Sequence, residues 1–234
     1  MSGVGVVRRV LSGALGVLFA ATAAAAATPA LAAPAPVTSV PCGDVAALVA
    51  AIKAANAVPT TPSKITLTAG CTYRLTTADN GENGLPVVVS PITVTGAGAT
   101  ISGGGSFRIW EVGAAGNLTL DSVAVTGGRA SMGGGILNGG TLHLASSQVF
   151  SNSVDVQATA AGGGLYNTGT AMLDQSSVYD NSVTSATDVA QGGGIENAGT
   201  LTLSGSQVYG NSSTGVEDAG IGGGIDNAFA ATLT

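Results

Sequence analysis

The chain has 234 residues, with seven Lys or Arg against 13 Asp or Glu, a formal net charge of −6 and an isoelectric point near 4.4. That acidity, without any basic cluster, excludes nucleic acid and anionic membrane surfaces as natural partners. Charged residues make up only 9% of the sequence, yet Val, Ile and Leu recur in register, which excludes a disordered linker.

Residues 1–32 read as a secretory signal peptide. Arg8 and Arg9 form the positive start, Val10 to Ala27 the apolar stretch, and Ala30-Leu31-Ala32 a small-x-small cleavage site. A retained anchor is the alternative. Cleavage leaves five basic residues against 13 acidic, a net charge of −8, and no integral membrane segment is expected in the processed chain. The expected location is extracellular or on the cell surface.

Residues 33–116 read as a cap followed by irregular first coils. Cys42 and Cys71 are the two cysteines of the chain. After export they are expected to form one disulfide, worth roughly 3 kcal/mol in the chain-entropy model. Between them, Asp44 to Lys53 is Ala-rich and places Val45, Leu48, Val49 and Ile52 on one face. Asp44 or Gly43 can cap it, which predicts a short amphipathic helix over the open end of a solenoid. Short extended runs follow at 64–67, 73–75, 87–89 and 92–94, with a polar turn at 79–84.

Residues 117–234 repeat themselves. Gly triplets begin at Gly133, Gly162, Gly192 and Gly222, spaced by 29, 30 and 30 residues. Their middle residues are Gly134, Gly163, Gly193 and Gly223, and an Asn follows each triplet at Asn138, Asn167, Asn197 and Asn227. The pair Leu142/Leu144 returns as Ala171/Leu173, Leu201/Leu203 and Ala231/Leu233. Each complete unit closes on Val-x-x-Asn, ending at Asn152, Asn181 and Asn211. A fixed period of this length marks a solenoid. The runs alternate with period two and none has helical spacing, so the leucines are buried only if each unit coils and stacks on the next. The predicted fold is all-β: a parallel β-helix with Gly corners, Asn ladders and a short N-terminal capping helix. The extra residues after each closing Asn (153–161, 182–191 and 212–221) are expected to form loops along one edge, a natural contact face. The last coil is incomplete, from which the expectation is either that the chain is a piece of a longer protein or that its open end is covered by a partner or a second copy.

At these Gly-Gly-Ile/Leu turns and Val-x-x-Asn closures the chain resembles the exported right-handed β-helix proteins built from polymorphic outer membrane protein repeats. Gly134-Gly135-Ile136, Gly163-Gly164-Leu165, Gly193-Gly194-Ile195 and Gly223-Gly224-Ile225 carry the first mark. Val149, Val178 and Val208 stand where that family has Phe, so the second mark is met in its Asn. The resemblance spans most of residues 42–234. It implies a right-handed coil, surface display and an adhesion-like, binding or structural role, with architectural rather than catalytic repeat residues.

Parallel β-helices also include polyuronide lyases and hydrolases, whose chemistry needs clustered carboxylates beside a base or His. His143, the one histidine, has no Asp or Glu within ten residues in sequence and reads as a surface residue. Arg108 is expected in a surface or inter-coil pair with Glu111 or Asp121. No catalytic set is assigned. The reading is a non-catalytic surface module binding a protein or glycan. The alternative is a polysaccharide lyase or hydrolase whose active site lies outside this chain. Leu137, Tyr166, Glu196 and Asp226 share one column, which makes Glu196 and Asp226 the candidates for a calcium site. A solvated acidic rim without metal is the simpler reading, because no acidic calcium-loop motif occurs.

Overall fold

Alternation decides the fold, coil by coil. In Thr141–Ala145 the side chains of Leu142 and Leu144 are buried while Thr141 is exposed. Leu142 lies in register between Leu118 and Ala171, and Leu144 between Leu120 and Leu173. Such columns recur through a computed structural model that describes residues 1–3, 37–228 and 230–234. The signal peptide read over residues 1–32 lies, after residue 3, outside the described residues.

The molecule is a parallel β-solenoid. Its main sheet stacks eight strands in chain order: Val37–Val40, Ser63–Leu67, Pro91–Ser102, Asn117–Thr126, Thr141–Ala145, Thr170–Asp174, Thr200–Ser204 and Thr232–Leu233. All of these pairs run parallel. A right-handed coil is the sense that parallel crossovers take. The register passes through residue 117 without a break, since Ile92 meets Leu118. Each buried Leu, Ile or Val contributes about 1.5–3 kcal/mol, so the column of side chains is the principal glue between coils.

Left-handed residues set the corners. Ser122, Ser146, Gln175 and Gly205 (φ 57, 48, 47 and 58°) bend the main strand, so that a short strand follows at Gln148–Phe150, Ser177–Tyr179 and Gln207–Tyr209. Gly127, Ser151, Asp180 and Gly210 (φ 64, 52, 52 and 64°) turn the chain into a second sheet. The first Gly of each triplet (φ 57, 65, 58 and 57°) turns it into the fourth.

The stretches expected as edge loops are structured instead. Ser153–Val156, Ser182–Ser185 and Ser212–Thr214 continue the second sheet, and Ala160–Ala161, Ala190–Gln191 and Gly220–Ile221 form a third. Val154, Val183, Ala160 and Ala190 bury one another as a small separate core. The inserted residues alternate as the rest do, and that is why they fold into a side lobe. The waist between lobe and main core explains the triplets. A Cβ on Gly135 would lie 2.9 Å from the Asn152 amide, and one on Gly163 would lie 2.4 Å from Gly193 O and 2.6 Å from Ser182 O.

Two further expectations change in detail. The helix runs Val45–Asn56, with Asp44 as its cap accepting from Ala47 N at 2.8 Å, and it buries Leu48, Ala51, Ile52 and Ala55. Val45 and Val49 pack only partly against the core. At the other end Thr232 pairs with Thr200 and Leu233 with Leu201. The Ala231/Leu233 alignment is therefore two residues out of step, because the last corner is longer by that much.

Candidate ligand-binding face

The outer face of the main sheet beyond its bend gathers aromatic and polar side chains in two exposed or half-exposed columns. Period two points Val149, Val178 and Val208 inward and their successors Phe150, Tyr179 and Tyr209 outward. In-register pairing then stacks the rings. Phe150 and Tyr179 lie 4.9 Å apart and 4° from parallel, and Tyr179 and Tyr209 lie 5.1 Å apart and 2° from parallel. Burial, the neighbouring Tyr209 and Asp180 raise the Tyr179 pKa. Tyr179 Oη donates to Gln148 Oε1 at 3.1 Å, fixing that carboxamide beside the ladder.

Beside the rings runs a second outward column, Thr100, Ala124, Gln148, Ser177 and Gln207. At the level of Ala124 the small side chains leave a groove of about 250 Å³. Thr100 and Gln148 border it along the column, Ser122 and Ser146 along the bend, and Phe150 forms its aromatic wall. The next residue of the aromatic column toward the N-terminus is Thr126, so one face of the Phe150 ring has no ring stacked on it. The sequence reading missed this ladder, although an aromatic follows the closing Val in all three complete units.

The residues singled out from sequence fall elsewhere. Cys42 and Cys71 are joined, with Cα atoms 5.4 Å apart, and tie the helix start to the turn before Thr72. Asn138, Asn167, Asn197 and Asn227 form one ladder, each Nδ2 donating to the next Oδ1 at 2.7 Å. Asn152, Asn181 and Asn211 form another at 2.9 Å, and each also donates to the carbonyl of Val125, Val149 or Val178. These amides hold coils together and face no groove. Ser147, Ser176 and Ser206 make a third ladder, unread in sequence, each hydroxyl accepting a backbone N–H of the coil before it.

The ionisable groups are largely committed to one another. Arg108 is 5% exposed, not a surface residue. Its guanidinium donates to Asn83 Oδ1 at 2.7 Å, to Glu111 and Glu82 at 3.2 Å, and to Met132 O at 2.9 Å. Burial lowers its pKa and the two carboxylates oppose that. Asp121, the other partner considered for it, accepts from Ser122 Oγ instead. His143 Nε2 lies 3.0 Å from Asp174 Oδ2, a partner 31 residues away that the coil period brings alongside. Arg129 and Asp155 pair at 3.0 Å on the side lobe with both side chains half-exposed.

Glu196 and Asp226 do meet, in register on adjacent coils. Glu196 is 4% exposed. Burial, then the charge of Asp226, then a hydrogen bond to it push the Glu196 carboxyl up to about 8. Gln191 donates to Asp226 Oδ2 at 3.2 Å. Ca²⁺ takes six to eight oxygen ligands, and among the described residues no group of three or more His, Cys, Asp or Glu is placed to hold a metal. The chemistry of this pair fits a shared proton better than a cation.

Comparison with protein-family models, curated proteins and solved structures finds no match in any of the three. What fold and face define is a class: a disulfide-bearing parallel β-solenoid repeat protein with a cap helix. Among the described residues no helix is long and apolar enough to cross a membrane.

Proposed function

We propose that this chain is an exported, non-catalytic β-solenoid that displays a binding face, the outer side of its main sheet beyond the bend. The observation that carries the reading is the ladder of Phe150, Tyr179 and Tyr209 beside the groove at Ala124. Aromatic faces and edges held on a rigid sheet offer contact area at little conformational cost. Export is supported by the leader-like start and the disulfide, which persists in oxidising compartments. The Gly-Gly-Ile/Leu turns and Val-x-x-Asn closures support kinship with the polymorphic outer membrane protein repeats, and with it an adhesion-like role at the cell surface.

The pairing of several ionisable groups supports the non-catalytic reading. Glu82 and Glu111 are both paired with Arg108, and His143 with Asp174 has no nucleophilic hydroxyl hydrogen-bonded to it among the described residues. The test is a pull-down of the full chain with insoluble surface polysaccharides and with host matrix proteins. Ala124→Trp, which fills the groove, is compared with Thr202→Trp on the other half of the same sheet. Retention lost only in Ala124→Trp supports the face. Release of unsaturated or newly reducing ends from an acidic polysaccharide, with or without calcium, overturns the non-catalytic reading.

A further inference from the structure

The groove at Ala124 has a chemistry narrow enough to name a ligand class, an inference that rests on the face being the binding face. Phe150 lines one side of it; one face of that ring is covered by Tyr179 at 4.9 Å, and the coil on the other side carries Thr126 in place of a third ring. Its polar rim is Thr100, Ser122, Ser146 and Gln148, hydroxyls and one carboxamide, and no lining residue carries a formal charge. Gln148 is exposed, and the Tyr179 hydroxyl already occupies its Oε1, which leaves the Nε2 donors turned to solvent or ligand. Next to this rim stand carboxylates rather than cations: Asp121 bonded to Ser122, and Asp180 adjacent to Tyr179. The whole chain has net charge −6.

These observations discriminate among occupants. A polyuronide or sulfated glycan brings a charge at each unit and meets no Lys, Arg or His in the lining, only neighbouring Asp. A peptide laid on the sheet gains no main-chain pairing, because the strands beneath are paired on both sides and recognition by strand addition needs a free edge. A volume of about 250 Å³ lies below the range of about 300–1,000 Å³ usual for drug-sized ligands. It suits one ring of a longer chain whose other units run along the column of Ser177 and Gln207, where a group recurs every coil, about 4.8 Å apart. A pyranose has an apolar C–H face and a rim of hydroxyls, the same two surfaces that Phe150 and the polar rim present. From these placements we infer that the groove binds a neutral pyranose unit of an uncharged polysaccharide, its C–H face against the Phe150 ring where that ring borders the groove and its hydroxyls on Gln148, Thr100 and Ser146.

The test is calorimetric titration of the full chain with a fixed panel: cello-, manno- and chito-oligosaccharides as neutral probes, and oligogalacturonate as the acidic one. Phe150→Ala, Phe150→Tyr and Ala124→Trp are compared with the parent, each accepted only if it melts within a few degrees of it. The expected result is binding of at least one neutral probe, weakened about tenfold or more by Phe150→Ala, retained by Phe150→Tyr and abolished by Ala124→Trp. Binding of oligogalacturonate alone, still abolished by Ala124→Trp, overturns the neutral-sugar inference and leaves the face in place. Neutral binding indifferent to all three variants overturns both. Absence of binding across the panel, while a protein ligand is lost on Ala124→Trp, overturns the inference alone.

Discussion

At the scale of single residues, the deeply placed ionisable side chains of Glu196 and Arg108 act on stability in opposite directions. Glu196 keeps its proton in the folded chain up to about pH 8, against a usual value of 4.5. The folded state therefore binds one more proton than the unfolded state between those values, and stability falls as pH rises through that window. Below it the proton is present in both states and the penalty vanishes. Glu196→Gln keeps the shape and gives Asp226 an amide donor in place of a shared proton. Thermal melts should show the variant equal to the parent near pH 4 and more stable near pH 8; a parent melt independent of pH would refute the pairing. Arg108 is the opposite case. Removing it by Arg108→Met leaves the buried Asn83 amide oxygen, the partly exposed Glu111 and the half-exposed Glu82 without their common donor. With the carboxylates screened by solvent, the loss should be about 1–3 kcal/mol by denaturant titration, set by the buried acceptors left unpaired, with Arg108→Lys recovering little, since an ammonium cannot reach carboxylates and carbonyls together.

At the scale of elements, two kinds of glycine look alike in sequence and differ in cause. Gly163 has an ordinary φ and is held by crowding, with Gly193 O and Ser182 O where its Cβ would go. Gly205 has φ 58° and open space, the nearest atom being Gln175 Cγ at 3.7 Å. Gly163→Ala should lose about 3 kcal/mol or fail to fold. Gly205→Ser should lose roughly 1 kcal/mol, since Gln175 and Ser146 already hold that conformation one and two coils earlier; equal losses would mean the waist is looser than described. The cap has its own test: Cys42→Ser should lower stability by roughly 3 kcal/mol and loosen hydrogen-exchange protection around Val45–Asn56 before the repeats. Period and alternation were enough to read the solenoid, its inward leucines and the in-register Asn columns, because each is a local pattern repeated. The side lobe was not legible, since its short Val and Ala runs are too brief to distinguish a strand from a loop. The Arg108–Glu111 pair was legible from its spacing of three, whereas the His143–Asp174 pair and the other partners of Arg108 were hidden for another reason: they lie one coil or an irregular turn away. The aromatic ladder is written in the sequence as the residue that follows each closing Val, Phe150, Tyr179 and Tyr209.

At the scale of the whole molecule, the solenoid has no centre. Each coil touches only its neighbours, so stability is a sum of coil and interface terms, and a unit can leave if the register closes behind it. Deleting residues 163–192, one period of 30, joins Gly162 to Gly193 and restores the triplet as Gly162-Gly193-Gly194. Asn138 would then meet Asn197, Asn152 would meet Asn211, and Phe150 would stack directly on Tyr209, each pair being residues that now lie two coils apart in one column. Both amide ladders survive, each shortened by one rung. The groove at Ala124 is built from the coils before the deletion and keeps the ring of Phe150 as its wall. The deleted protein should therefore fold, melt cooperatively at a somewhat lower temperature, and retain whatever ligand the parent binds with similar affinity. Deleting half a period, residues 163–177, turns inward positions outward and leaves Val178 where a corner is required. That chain should lose the β signal in circular dichroism and aggregate. If the two deletions behave alike, stacking of interchangeable coils is not what stabilises this protein.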